Sequence, residues 1–215
     1  MTTGPSSDPV VDPAVVGVAV PVPEPWGAHL QRLRIGYGEE RAAHIPTHIT
    51  LLPPTEVAAG VADDLDAHLG RVAASHAPFE VLLRGTGTFR PVSDVVFVQV
   101  AKGVAGCERL EQAVRSGPVQ RRIDFPYHPH VTLAHDLPGP AMDRAFSDLA
   151  AFSCTFTADV VRLYAHDGDG VWRTRTDHPL TGGVTPTVGV RSVSPRRGAG
   201  GRPGPRRSAP GPGCR

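Results

Sequence analysis

The sequence has few cysteines, no long hydrophobic run and almost no net charge, and each shortage excludes a class of protein. Its three cysteines in 215 residues, Cys107, Cys154 and Cys214, are odd in number and widely spaced. They therefore form neither a disulfide framework nor a zinc-binding pattern, and they fit a reducing compartment. The apolar run at residues 14–20 is far shorter than the roughly 20 residues that cross a bilayer. No basic segment precedes this run, so we expect neither a secretory signal nor membrane association, and we predict a cytoplasmic protein.

The net charge of +1 is the sum of two unlike parts. The segment from Val184 onward holds seven arginines and no acidic residue, which leaves 15 basic and 21 acidic residues in the rest of the chain. A body of that charge is not a tight duplex binder, because duplex affinity comes mainly from cations placed against phosphates. Contact with nucleic acid is therefore expected only locally, at a cleft or through the basic tail.

Composition also predicts the domain boundaries. Residues 1–13 are rich in proline, serine, threonine and aspartate and are expected to form a disordered lead-in. Residues 184–215 are rich in glycine, proline, serine and arginine and are expected to form a disordered tail. Residues 14–183 remain as one predicted domain. The sequence contains no oligomerisation signal, so we expect a monomer.

One short motif occurs twice in this domain. Residues 48–51 read His-Ile-Thr-Leu and residues 130–133 read His-Val-Thr-Leu. Both alternate polar and apolar residues, which is typical of a half-buried strand. Side chains two positions apart share a face of a strand, so each copy presents a histidine and a threonine opposite an aliphatic pair. If the two strands are neighbours, two imidazoles and two hydroxyls meet in one cleft.

The remaining pattern predicts two rounds of strand, helix and paired strands, with one motif strand in each round. Pro53-Pro54 is expected to end the first motif strand, because proline supplies no ladder donor. Thr55 is a plausible N-cap for the helix that follows. The other expected elements are strands at 15–20, 79–89, 94–101 and 156–166, helices at 24–35, 56–75, 104–115 and 142–152, and a strand at 171–176 that pairs with 156–166 around Asp167-Gly168-Asp169-Gly170.

The chemistry of the motif suits a phosphate ester. An imidazole has a reference pKa of about 6.5, so two of them can hold opposite protonation states near neutrality. The neutral ring can take a proton from a nucleophile while the charged ring gives one to the leaving oxygen. Threonine hydroxyls can donate to the non-bridging phosphate oxygens. This scheme requires neither a cofactor nor a metal.

The repeated His-x-Thr-Leu motif, with about eighty residues between its copies, resembles the 2H phosphoesterase superfamily. More narrowly, the chain is similar to bacterial 2′-5′ RNA ligase-like proteins and RNA 2′,3′-cyclic phosphodiesterases. The resemblance covers roughly residues 14–180. It implies an α+β, bilobal, duplicated fold, with antiparallel sheets lining a central cleft and helices packed outside.

The resemblance also implies an activity and its residues. The expected substrate is an RNA end or a nucleotide with a cyclic phosphate, which is hydrolysed, or a 2′-5′ linkage, which is formed reversibly. By position, His48 and His130 are the catalytic pair, and Thr50 and Thr132 hold the phosphate. His130 is expected to act as the base on water and His48 to protonate the departing 2′ oxygen.

Three alternatives remain open from the residues. The chain could act as a phosphodiesterase or transferase on a small nucleotide-derived metabolite instead of RNA, since His135 and Asp136 stand where cyclic phosphodiesterases often carry arginine. The cleft could also bind nucleotides or RNA without turnover. A metal held by His128, His130 and His135 is disfavoured, because no cysteine or carboxylate with ligand spacing accompanies them. For Tyr127 and Phe89, stacking on a base and packing in the core are both open.

Overall fold

The fold consists of two four-stranded antiparallel sheets with helices packed against them. A computed structural model describes residues 14–58, 60–121 and 125–183. The lead-in at 1–13 and the tail at 184–215 lie outside the described residues, so their predicted disorder and the predicted domain boundaries stay predictions. The elements are β1 Ala14–Pro21, α1 Trp26–Tyr37, a 3-10 helix Glu40–His44, β2 His48–Val57, α2 Val61–Ser75, β3 Phe79–Thr88, β4 Val95–Lys102, α3 Val104–Arg115, β5 His130–His135, α4 Gly139–Asp148, β6 Ser153–Ala158, β7 Val160–His166 and β8 Arg173–Pro179.

Each sheet has its motif strand at one edge, beside the strand that precedes it in the chain, which agrees with the predicted duplication. One sheet runs β2-β1-β7-β8 and the other runs β5-β4-β3-β6. All neighbouring strands are antiparallel. Each motif strand is therefore the edge strand of its sheet and pairs with one partner, β1 for β2 and β4 for β5. This placement leaves one side of each motif strand free to face the other.

The aliphatic residues of both motifs lie in the core, as their alternation predicts. Ile49 and Leu133 have no exposed surface, and Leu51 and Val131 are at most 2% exposed. Helices α2 and α3 pack on the sheet that contains β2, while α1 and α4 pack on the sheet that contains β5. The core thus anchors one face of each motif strand, and its polar face is left for the cleft.

The prolines after the first motif do not end the strand, contrary to the prediction. Strand β2 continues through Pro53 and Pro54 to Val57, and its pairing with β1 is irregular opposite them, between Val16 and Val18. An edge strand tolerates proline where the ladder is interrupted, because the missing donor is not needed there. The predicted helix 56–75 consequently begins only at Val61, after Gly60.

Two other boundaries were wrong. The predicted strand 156–166 is two strands, β6 and β7, which belong to different sheets. The chain changes sheets at Asp159, and only β7 pairs with β8 in the predicted hairpin. The predicted helix 142–152 lies at Gly139–Asp148, because Pro140 occupies the first turn, where a helix tolerates proline.

No helix in the described part of the chain is long and apolar enough to cross a membrane.

Candidate active site

The two motif histidines are held in the same way. Each is the first residue of its strand, and each ring Nδ1 bonds to the carbonyl oxygen two residues earlier. The distance is 2.6 Å from His48 to Pro46 and 2.7 Å from His130 to His128. A carbonyl oxygen only accepts, so Nδ1 carries the hydrogen in both rings. In the neutral imidazole, Nε2 then has a free lone pair, which can accept a proton from a nucleophile.

Burial disfavours the charged form of both imidazoles. It lowers the pKa of His48 to about 4, against the opposing effect of the Pro46 carbonyl. The positive charge of Arg34, and that of His130 when it is protonated, lower the pKa of His48 further. Burial also lowers the pKa of His130. Since a charged ring is disfavoured at either position, a bound anion would be needed to stabilise one.

Thr50 lies where two cavities meet. The first, of about 120 Å³, is lined by His48, Thr50 and the aromatic rings of Tyr164 and Trp172. The second, of about 430 Å³, is lined by Thr50 and His130. Three of the four predicted site residues are thus brought to one cleft at the facing edges of the sheets.

Thr132 lies on β5 in the position that corresponds to Thr50 on β2. It pairs with Phe97 on the polar face of β5 and is half-buried, as Thr50 is on β2. It is not among the residues that line either cavity. The predicted contact of Thr132 with phosphate therefore stays a prediction.

Aromatic rings surround the histidines, and the sequence singled out Phe89 but neither Phe97 nor Tyr164. The centroids of Phe89 and Phe97 each lie 5.1 Å from that of His130. The Tyr164 centroid lies 6.2 Å from that of His48. Phe97 fits there because its neighbour is Gly87, where a Cβ would come within 2.5 Å of the ring. Phe97 and Tyr164 stand inside apolar strands, so only a knowledge of strand pairing could have identified them.

Tyr127 connects the two halves of the site. Its ring packs against the core, and its hydroxyl donates a 2.9 Å hydrogen bond to the carbonyl oxygen of Thr50. Tyr127 precedes His130 by three residues, so this bond connects the segment just before β5 to Thr50, the third residue of β2. Of the two roles left open for Tyr127, the structure contains core packing, together with a hydrogen bond that the sequence did not indicate.

The described residues contain no group of three or more histidine, cysteine, aspartate or glutamate side chains that could hold a metal ion. His128, His130 and His135 accordingly do not form a metal cluster. His128 packs with His130 among the aromatic rings, and His135 lies at the far end of β5.

A family model supplies the identification. The model described as the 2′-5′ RNA ligase superfamily matches residues 21–170, more than two thirds of the chain. The chain belongs to this superfamily of 2H phosphoesterases. The match includes both motif strands, and its limits fall within the predicted domain at 14–183.

Curated relatives carry names consistent with this family. A protein of Geobacillus thermodenitrificans (strain NG80-2) named "Putative phosphoesterase" is 29% identical over 122 residues, which are 57% of this chain and 70% of that protein. A protein of Geobacillus stearothermophilus named "RNA 2′,3′-cyclic phosphodiesterase" is 31% identical over 123 residues, which are 54% of this chain and 39% of that protein.

Solved structures share the fold. E. coli LigT complexed with NADP+ superposes with a TM-score of 0.57 at 24% identity, over 79% of this chain and 99% of that chain. E. coli LigT complexed with 3′-AMP gives 0.55 at 23% identity over the same shares. Protein TT0787 of Thermus thermophilus also gives 0.55 at 23% identity, again over 79% of this chain and 99% of that chain. These likenesses confirm the predicted α+β architecture of two sheets.

The lowered pKa of His48 predicts a loss of stability in acid. Below a pH of about 6.5 the unfolded chain protonates this ring, whereas the folded chain does so only near pH 4. The stabilisation present above pH 6.5 is thus lost as the pH falls to 4, by up to about 3 kcal/mol. Urea unfolding at several pH values should show a weaker pH dependence for His48→Gln than for the wild type. If the free energy of unfolding depended on pH equally in the wild type and in His48→Gln, this account of His48 would be contradicted.

The hydrogen bond of Tyr127 predicts a matched pair of stability effects. Tyr127→Phe should lower the free energy of unfolding by about 1 kcal/mol, the usual net value of such a bond. Tyr164→Phe is the control, because its buried hydroxyl makes no hydrogen bond of normal geometry among the described residues and only interacts with the nearby Arg162 guanidinium. Urea unfolding should give a smaller loss for Tyr164→Phe, and equal losses would show that the Tyr127 bond contributes nothing.

Proposed function

We propose that this chain hydrolyses 2′,3′-cyclic phosphodiesters at RNA ends or on nucleotides, through acid–base catalysis by His48 and His130. The observation that carries the proposal is the matched pair of imidazoles. Each is fixed through Nδ1 with Nε2 left free, and both border cavities that share Thr50. Both motifs belong to one chain, so a monomer suffices. With a 5′ hydroxyl in place of water as the nucleophile and the 3′ oxygen as the leaving group, the same two proton transfers would form a 2′-5′ linkage.

The proposed reaction needs one neutral and one charged ring. Nε2 of neutral His130 accepts a proton from water as the water oxygen attacks phosphorus. The bond from phosphorus to the 2′ oxygen breaks, and charged His48 gives its Nε2 proton to that oxygen. Each proton transfer contributes about 10² to 10⁴ in rate. The product is a 3′ phosphate, and solvent restores the two protonation states. The division of roles follows the family resemblance.

The substrate's own negative charge favours the protonated imidazole that burial disfavours. Burial disfavours the imidazolium form of both histidines. A phosphate anion beside the rings favours the charged form and raises the pKa, so binding and protonation of one ring occur together. The Thr50 hydroxyl, and in this proposal that of Thr132, donate to the non-bridging oxygens during attack.

The relatives support this substrate class. One is named an RNA 2′,3′-cyclic phosphodiesterase, and LigT has been solved with 3′-AMP, which carries a phosphate on its ribose. No step of the proposed reaction uses a metal, so chelators are expected to leave the rate unchanged.

Product analysis on a substrate panel tests the proposal. The panel contains nucleoside 2′,3′-cyclic phosphates and oligonucleotides that end in a cyclic phosphate, each with and without EDTA. The wild type should open the ring in both conditions, while His48→Ala and His130→Ala should each lose at least about 100-fold in kcat/KM, because each removes one proton transfer. The matched control is His135→Ala, an exposed histidine of β5 outside both cavities.

Other outcomes would overturn the proposal. Full turnover by either alanine variant would exclude the paired mechanism, and a rate abolished by EDTA would require a metal. Nucleotide binding without product after long incubation would identify a binding module. Turnover of free nucleotides but not of oligonucleotides would restrict the substrate to small metabolites.

A further inference from the structure

The cavity beside His130 has apolar walls that the proposed phosphate chemistry does not explain. At about 430 Å³ it falls within the usual size range of small-molecule sites. Val92 and Phe125 on its lining are 72% and 69% exposed, the highest values among the large hydrophobic residues that the structure describes. Phe89 adds a third apolar side chain next to His130. Exposed apolar side chains gathered at one cavity indicate a site for a flat or apolar group.

Glu111 is the one carboxylate in this lining. It belongs to α3, is only 4% exposed and accepts a 3.0 Å bond at Oε1 from Nη1 of Arg115. Arg115 is itself fixed, since its Nη2 donates a 3.0 Å bond to the carbonyl oxygen of Arg121. A carboxylate paired with a guanidinium offers only acceptors. A ligand group that meets Glu111 must therefore present hydrogen-bond donors.

We propose that this cavity binds a guanine base, whose N1–H and N2–H donate to the Glu111 carboxylate while the attached phosphate lies at His130. Guanine presents these two donors side by side on one edge. Adenine and cytosine each place a ring acceptor next to their amino group, and uracil flanks its single N–H with two carbonyls, so each of these would set an acceptor against the carboxylate. Hydrogen bonds to a charged acceptor are about twice as strong as neutral ones. The proposal rests on the proposed function, since it names the substrate base of that site.

A purely structural role for Glu111 is the competing explanation. Glu111 and Arg115 are four residues apart on one helix, a spacing at which ion pairs form without any ligand. That explanation predicts that changing Glu111 alters stability and leaves base preference unchanged. The ratio of rates on two bases, measured on one protein sample, separates the two because it does not depend on the folded fraction.

The test compares kcat/KM for guanosine, inosine, adenosine and uridine 2′,3′-cyclic phosphates. Inosine keeps N1–H and lacks the N2 amino group, so it isolates one of the two bonds. The wild type should prefer guanosine to adenosine and uridine by about 10- to 100-fold, with inosine between, as expected for hydrogen bonds to a charged group. In Glu111→Gln the preference should fall to about threefold or less. Glu108→Gln, an exposed glutamate of the same helix that does not line the cavity, should keep it.

Calorimetry with 3′-GMP and 3′-AMP makes the two proposals separable. The wild type should bind 3′-GMP at least about tenfold more tightly, and Glu111→Gln should remove the difference. Equal kcat/KM values for all bases, or a guanosine preference that persists in Glu111→Gln, would overturn the guanine proposal. Neither result would affect the proposed hydrolysis. If no cyclic phosphate is opened, the hydrolytic proposal fails, and the calorimetric ratio alone decides whether guanine binds at Glu111.

Discussion

The hydrogen bond from each motif imidazole to the carbonyl two residues earlier is the interaction on which the site depends. It assigns the hydrogen to Nδ1 in both rings, so that Nε2 is the atom available for chemistry. It also fixes the ring at the point where the chain enters the strand. Without it, the ring hydrogen could lie on either nitrogen and the side chain could adopt several rotamers. The two rings would then share no common orientation.

The strand orders then bring the two rings together. Because β2 and β5 are edge strands in equivalent positions, the same local structure is built twice and presented to one cleft. The surroundings of the two copies differ, however. His48 borders the small cavity with Tyr164 and Trp172, and His130 borders the large one with Phe89 and Glu111. In the proposed reaction, a duplicated pair of imidazoles with unlike walls would treat the two sides of a phosphodiester differently.

Much of this was predictable because it follows from local alternation. The period of two in each motif separated Ile49 and Val131, which are buried, from the histidines and threonines, and the helix at 104–115 was predicted with its observed bounds. The end of β2 was not predictable, since Pro53 and Pro54 are tolerated only because β2 lies at an edge. The split at Asp159 depends in the same way on which sheet each strand joins.

Two aromatic rings and one carboxylate of the site were also beyond sequence reasoning. Phe97 and Tyr164 are ordinary members of apolar strands until the pairing places them beside an imidazole. Glu111 looks like one half of a helical ion pair until α3 is packed against β2 and its carboxylate reaches a cavity. Long-range pairing decides all three positions, and no short window of sequence contains it.

The central claim is that His48 and His130 act on one phosphate. The most direct test is ¹⁵N NMR of the histidine side chains during titration with inorganic phosphate, with signals assigned through His48→Gln and His130→Gln. The account predicts that both free rings are neutral and carry hydrogen on Nδ1 at pH 7, that the pKa of both rises on binding, and that both signals give the same Kd. A response from one ring alone, or two different Kd values, would contradict it.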